Sequence, residues 1–145
     1  MSLSPFDHPF LSGLFGDPEL AGLLSARAEI EAMVAFEIAL AAAQAECGVI
    51  PQADAEAIAG LETKYTADFE GLKSGLGRDG VVAPEMVRQM RSALGGQAAR
   101  SLHFGATSQD VVDTSLVVRL KSITAIIGTR IAAVEKALAH LSDRF

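Results

Sequence analysis

One stretch organises the chain: residues 103–114, which read HFGATSQDVVDT. Polar, donor-rich side chains lie there beside a glycine, and a long apolar helix pattern follows. Gly105 permits close approach of a ligand to the backbone. Thr107 and Ser108 supply hydroxyls near a helix start, where free backbone N–H groups and the positive end of the helix dipole attract anions. The stretch predicts a carboxylate-binding turn; the alternative is that Ser108 or Asp110 simply caps the helix.

The pattern that follows predicts one long helix from residue 110 to the end of the chain. Its apolar residues recur at steps of three, four or seven, as in a coiled-coil seam: Leu116, Leu120, Ile123, Ile127, Val134, Leu138 and Leu141. At about 1.5 Å per residue the helix reaches roughly 50 Å, and the shorter helices upstream cannot cover so long an apolar face. We therefore expect either self-association or a chain that forms the front part of a longer protein.

The rest of the chain divides into shorter helices, and no segment alternates as a strand would, so the predicted class is all-α. A helix is predicted from Ser25 to Gly48, with Pro51 beyond its end and two apolar stripes that indicate burial on both faces. Glu37 lies among these apolar residues. A hydrogen-bonded structural glutamate is the main interpretation there, and a buried catalytic acid is the alternative. Cys47 is predicted to pack as a small hydrophobe.

Two further segments carry predictions of their own. Residues 1–16 are expected to form an irregular arm whose three phenylalanines either dock on an apolar surface or belong to a disordered terminus. Residues 75–80, GLGRDG, are predicted to form a flexible loop. Arg78 on this loop is a candidate clamp for a carboxylate, against the alternative of a solvated side chain. Other helices are expected at residues 19–24, 51–63 and 83–94.

Composition excludes several classes of function. The chain has 145 residues, 50% of them apolar, and a net charge of -6 with no basic block, so nucleic-acid binding is not expected. It has no uncharged apolar run of about 18 residues and no signal-peptide pattern, so we expect a cytoplasmic protein without a membrane partner. One cysteine and three dispersed histidines predict neither a disulfide framework nor a metal site.

Two segments carry a resemblance to a known family. Residues 103–114 resemble the first conserved region of the fumarase/aspartase superfamily, and residues 39–51, ALAAAQAECGVIP, are similar to its first-helix signature. Residues 77–84 carry no histidine, unlike adenylosuccinate lyases, and are similar to the bacterial 3-carboxy-cis,cis-muconate cycloisomerases. The resemblance implies an N-terminal helical domain at residues 1–110, followed by the first long helix of the central helical bundle at residues 111–145.

The resemblance also implies an activity and a set of site residues. The activity is interconversion of 3-carboxy-cis,cis-muconate and a carboxymuconolactone in protocatechuate degradation, without cofactor or metal. His103 would be the catalytic residue that hydrogen-bonds or places the substrate. Thr107, Ser108 and Gln109 would bind a substrate carboxylate, with Arg78 as a candidate for a second one.

The family builds its active site from three conserved regions on three subunits of a homotetramer, and only the first region lies in this chain. We therefore expect the chain to be a fragment that is inactive alone, with a small tricarboxylate and copies of itself as partners. Asp110, Asp113 and Thr114 are expected to cap the helix and hold the turn. Two alternatives stay open: an adenylosuccinate lyase-like enzyme of the same superfamily, and a non-catalytic helical assembly module.

Overall fold

The computed structural model of the protein describes residues 4–144. These residues form nine helices and no strand, which confirms the all-α prediction. In chain order the helices are α1 (Ser12–Phe15), α2 (Pro18–Leu23), α3 (Ala26–Glu46), α4 (Gln52–Ala59), α5 (Leu61–Lys64), α6 (Phe69–Asp79), α7 (Ala83–Leu94), α8 (Ala98–Ser101) and α9 (Ser108–Ser142). In this part of the chain no helix combines the length and the hydropathy needed to span a bilayer.

The described residues divide into two compact units. Ile30–Val117 forms the first unit, and residues 4–29 together with residues 118–144 form the second. The predicted boundary between residues 110 and 111 concerns the domains of whole family members, and it stays a prediction.

The apolar core of the first unit reaches both ends of the organising turn. Met33 of α3, Ile58 of α4 and Met86 of α7 are fully buried in this core. Leu102, just before the turn, and Val111, in the first turns of α9, are fully buried in the same core. Because apolar burial stabilises both flanks, the backbone between them is held at two fixed points.

Only one face of α3 is buried, and its buried residues are Ile30, Met33, Val34, Glu37 and Ala41. Ala43 on the other face is exposed, and so is Cys47 just beyond the end of the helix. The prediction of a buried Cys47 is therefore wrong. The predicted second buried face is covered only in part, because Phe36 packs against the core and Leu40 is half-buried, whereas Ala43 is exposed. The predicted start holds, since the Ser25 hydroxyl accepts a hydrogen bond from the Ala28 N–H at 3.2 Å.

Residues 75–80 do not form the predicted flexible loop, because residues 75–79 belong to α6. A Cβ on Gly75 would lie 2.5 Å from the Cβ of Glu85, so glycine allows α6 and α7 to pack closely. Gly80 has a φ of 74° and ends α6 in the left-handed conformation that favours glycine. The glycines that suggested flexibility therefore serve a helix contact and a helix stop.

Two other segments differ from their predictions. Residues 51–63 form two helices, α4 and α5, which meet at Gly60. The N-terminal arm contains α1, and residues 1–3 of the predicted arm lie outside the described residues. Phe6, Phe10 and Phe15 are each more than half exposed, at 62%, 76% and 51%, so they dock on no apolar surface of the described chain.

The second unit joins α2 to the C-terminal part of α9 through charged groups. Asp17 caps α2 by accepting a hydrogen bond from the Leu20 N–H at 3.2 Å, and it also pairs with Arg130 of α9. Arg130 Nη2 donates a second bond to Glu19 Oε2 at 2.6 Å. The apolar face of α9 nearby is exposed at Ile131, Val134, Leu138 and Leu141, and the first three of these residues line an open groove of about 480 Å³.

Candidate active site

The turn between α8 and α9 has an unusual backbone. Among the residues 4–144 that are not glycine, His103 alone has a positive φ, which is 59°. Gly105, two positions later, has a φ of 72°. A histidine in the left-handed region costs about 1 kcal/mol or more, so neighbouring groups must hold it there.

Side chains from three helices hold this turn along its length. The Ser101 hydroxyl donates to Asp54 Oδ2 of α4 at 2.5 Å, in a buried contact. Arg91 Nη2 of α7 donates to the Leu102 carbonyl at 2.9 Å. Gln44 Nε2 of α3 donates to the Phe104 carbonyl at 2.6 Å, so the residues on both sides of His103 are fixed.

His103 itself is held by a buried carboxylate. Its Nδ1 lies 2.6 Å from Oε1 of Glu37, whose side chain has no solvent exposure. Burial raises the pKa of Glu37, and the hydrogen bond with His103 opposes that rise. An ionised carboxylate only accepts hydrogen bonds, so Nδ1 is the donor whenever Glu37 is charged. The structure thus joins Glu37, left as an ambiguous buried acid by the sequence, to the predicted site.

The head of α9 is closed by a reciprocal cap between Thr107 and Asp110. Oδ2 of Asp110 accepts from the Thr107 N–H at 2.8 Å and from the Thr107 hydroxyl at 2.9 Å. The Asp110 N–H donates back to Thr107 Oγ1 at 3.4 Å. The bond from the Thr107 backbone is the main cause that lowers the pKa of Asp110, and nearby His103 adds to the effect. The predicted capping role of Asp110 is confirmed.

Ser108 and Gln109 are placed differently from Thr107. Within residues 4–144 their side chains and backbone N–H groups make no hydrogen bond, while both groups of Thr107 are engaged by Asp110. Gln109 is exposed and Ser108 is half-buried. The donors available to an incoming anion at this helix start are therefore those of Ser108 and Gln109.

Arg78 belongs to a different polar cluster. It lies in the last turn of α6, where its guanidinium contacts both Asp79 oxygens at 2.8 and 2.9 Å and Glu85 Oε2 at 3.4 Å. No hydrogen bond in the described part of the chain joins it to residues 103–110. The structure therefore brings His103, Thr107, Ser108 and Gln109 into one turn and leaves Arg78 outside it.

No sequence motif marks the residues that hold the turn. Gln44, Asp54 and Arg91 are ordinary polar residues on helices, and their partners lie 60, 47 and 11 positions further along the chain. One weak signal exists: Glu37 and Gln44 are seven residues apart, which places both on one face of α3 beside the buried Ala41. A polar pair at helical spacing within an apolar stripe predicts an internal hydrogen-bonded contact.

The helical fold and the turn of residues 4–144 have counterparts among known proteins, although no family model matches the chain. It is 35% identical over 125 residues to the 3-carboxy-cis,cis-muconate cycloisomerase of Acinetobacter baylyi, covering 83% of this chain and 28% of the relative. The adenylosuccinate lyase of Methanocaldococcus jannaschii is 34% identical, covering 99% of this chain and 30% of the lyase. The crystal structure of a fumarate lyase from Mesorhizobium sp. BNC1 matches with a TM-score of 0.82 and 36% identity, over 86% of this chain and 29% of that one.

The chain belongs to the fumarase/aspartase superfamily, as its turn at residues 103–114 indicated. It spans 28% to 30% of the length of these relatives. The similar proteins include both cycloisomerases and lyases, and membership supports lyase or isomerase chemistry.

Proposed function

We propose that the natural gene product containing this chain is a 3-carboxy-cis,cis-muconate cycloisomerase. It interconverts this tricarboxylate and a carboxymuconolactone without metal or coenzyme, in protocatechuate degradation. The observation that supports the proposal best is the turn itself: a histidine held by a buried glutamate lies next to a helix start with unused donors. The identity of 35% to the Acinetobacter cycloisomerase favours this substrate.

The reaction needs groups of this kind. In the lactonising direction a carboxylate oxygen of the substrate forms a C–O bond to one carbon of the conjugated double bond, and the electron pair of that double bond moves to the carbon next to another carboxylate. The resulting enolate-like dianion then takes up a proton at this carbon, and the reverse reaction begins with removal of that proton. Preorganised hydrogen-bond donors and a helix N-terminus stabilise such a dianion. In the proposal, Ser108 and Gln109 bind a substrate carboxylate, and His103 contacts the substrate. Thr107 also binds the carboxylate once one of its two hydrogen bonds to Asp110 is broken. Arg78 binds a second carboxylate only if it leaves Asp79.

The test is an assay of the natural gene product on both candidate substrates. We expect it to consume the conjugated diene of 3-carboxy-cis,cis-muconate, measured by ultraviolet absorbance, and to leave adenylosuccinate unchanged. The Ser108→Ala/Gln109→Ala variant should lose about 100-fold or more in kcat/KM, because donors aimed at the developing charge are removed. Cys47→Ser, at an exposed position outside the turn, is the matched control. Normal turnover by the double variant would contradict the carboxylate-binding role.

Adenylosuccinate lyase activity is the second candidate. The Methanocaldococcus enzyme with that name matches 99% of this chain at 34% identity. The two reactions share an elimination or addition next to a carboxylate, so the turn alone serves either. Turnover of adenylosuccinate with none of carboxymuconate would establish the lyase and overturn the cycloisomerase proposal.

We also propose that the chain associates with copies of itself through α9. Ile131, Val134 and Leu138 are exposed by 62%, 59% and 61%, and a monomer would leave this apolar face in water. Sedimentation at micromolar concentration should show an oligomer of the 145-residue chain. Val134→Glu should shift the mass toward the monomer, while Lys136→Glu on the opposite side of the helix should not. A monomeric wild-type chain would count against the proposal, and so against the assembly-module alternative.

A further inference from the structure

Glu37 is buried at a cost that folding alone does not explain. It is 1% exposed, and its Oε2 has no hydrogen-bond partner in the described residues. An unsatisfied buried carboxylate oxygen destabilises the folded state, whereas an apolar side chain of similar size would fit the same face of α3 without that loss. Its partner in the described residues is His103, whose ring nitrogen lies 2.6 Å from Oε1 and whose backbone N–H also lowers the pKa of the Glu37 carboxyl. The buried carboxylate is therefore directed at His103.

The surroundings of His103 leave the ring as the group that remains to be fixed. Arg91 holds the carbonyl before it, and Gln44 holds the carbonyl after it. With the backbone set in this way, the side-chain torsions and the choice of protonated nitrogen remain free. The contact from Glu37 to Nδ1 determines both, because the partner of one ring nitrogen selects the tautomer.

The second ring nitrogen is available to a ligand. Nε2 of His103 has no hydrogen bond within residues 4–144, and it is not among the buried unpaired atoms, which are Glu37 Oε2 and Gln44 Oε1. The side chain is 16% exposed, so solvent or a small molecule reaches it. His103 lies in the same turn as Ser108, five positions before it, and its charge adds to the lowering of the pKa of Asp110 at the head of α9.

We infer that Glu37 is a positioning residue that acts through His103. It accepts the Nδ1–H bond from a buried position, and it thereby presents Nε2 to a polycarboxylate bound at the start of α9. The inference rests on the proposed function for the identity of that ligand. It adds a residue from α3, 66 positions from the histidine, to a site otherwise built from one turn.

The first test measures the tautomer directly in the 145-residue chain. Long-range proton–nitrogen correlation spectra of the three histidines are recorded at alkaline pH, with His103 assigned by its absence in His103→Gln. We expect a protonated Nδ1 and an unprotonated Nε2 at His103. Glu37→Leu should convert it to the mixture shown by exposed His140, while Glu46→Gln on the same helix should change nothing. An unaltered His103 pattern in Glu37→Leu would overturn the inference.

The second test measures turnover in the natural gene product. Glu37→Leu should lower kcat about 100-fold with little change in KM, since a misdirected imidazole affects proton transfer more than binding. Glu37→Asp, which keeps the acceptor, should recover part of the rate. If Glu37→Leu fails to fold, Glu37→Gln is measured in its place, because it keeps the side-chain volume of glutamate. Full activity in both neutral variants would contradict the role of Glu37, whereas a wild-type protein inactive on both substrates would contradict the proposed function and leave the tautomer result intact.

Discussion

Glu37 and Glu85 are two buried glutamates of the same unit with opposite surroundings. They are 1% and 5% exposed. Glu85 pairs with Arg88 and Arg78 and accepts a bond from Gln89 Nε2 at 3.1 Å. Glu37 is hydrogen-bonded by one residue, His103, and its Oε2 has no partner in the described residues. The two acids therefore differ little in burial and strongly in the completeness of their hydrogen bonding.

The difference follows from where the partners lie. Arg78 and Arg88 reach Glu85 from the surface, with side chains 55% and 58% exposed, so they neutralise its charge and stay partly hydrated. Glu37 faces a histidine whose other nitrogen is left for a ligand. A carboxylate satisfied by nearby cations stabilises its helix pair, whereas one with an unpaired oxygen is buried at a net cost.

The largest effect is expected when each glutamate is replaced by leucine. Glu85→Leu should lower the free energy of unfolding by about 3 kcal/mol, because it removes a buried acceptor shared by three donors. Glu37→Leu should change it by less than about 1 kcal/mol, because an apolar side chain also relieves an unsatisfied oxygen. Urea unfolding followed by circular dichroism measures both. Equal losses in the two variants would remove the distinction drawn between the two acids.

A smaller effect is expected from the glycine that packs against Glu85. Gly75→Ala should destabilise the chain by about 2 kcal/mol, because its new Cβ overlaps the Glu85 Cβ and the two helices must separate. Gly77→Ala is the matched control on the same helix. No atom lies within 4 Å of a Cβ at that position, so alanine should stabilise α6 by about 0.5 kcal/mol.

The smallest effect is a change in the pH dependence of stability. Burial raises the pKa of Glu37 above its ordinary 4.5, with His103 and Arg91 as the opposing charges that face it. A raised pKa means that the folded state holds the proton more tightly, so the stability contributed below pH 4.5 is lost as pH rises through the folded-state pKa. Glu37→Gln lacks this loss.

The stability of Glu37→Gln relative to wild type should therefore increase as pH rises above about 4.5 and then level off. Unfolding free energies measured across this range check the sign. Glu46→Gln, at an exposed position at the end of α3, serves as the control and should follow the wild-type curve. A relative stability that falls with rising pH would show that the pairing with His103 outweighs the burial of Glu37.

Local signals in the sequence predicted much of the fold. The start of α3 at Ser25, the stop of α7 before Gly95 and the capping role of Asp110 depend on residues within one turn of each other. The loop predicted around Gly75 failed for the opposite reason. Glycine signals flexibility only when nothing packs against it, and the helix that packs here begins after the segment ends.

The sequence by itself determined the all-α class, the long apolar helix and the turn at residues 103–114, because helical periodicity and capping are local properties. Only the tertiary structure decided what surrounds that turn. His103 meets Glu37 across 66 positions, and Phe104 meets Gln44 across 60. Contacts so distant along the chain form when the helices pack around a shared core, and no local pattern records which side chains will then meet.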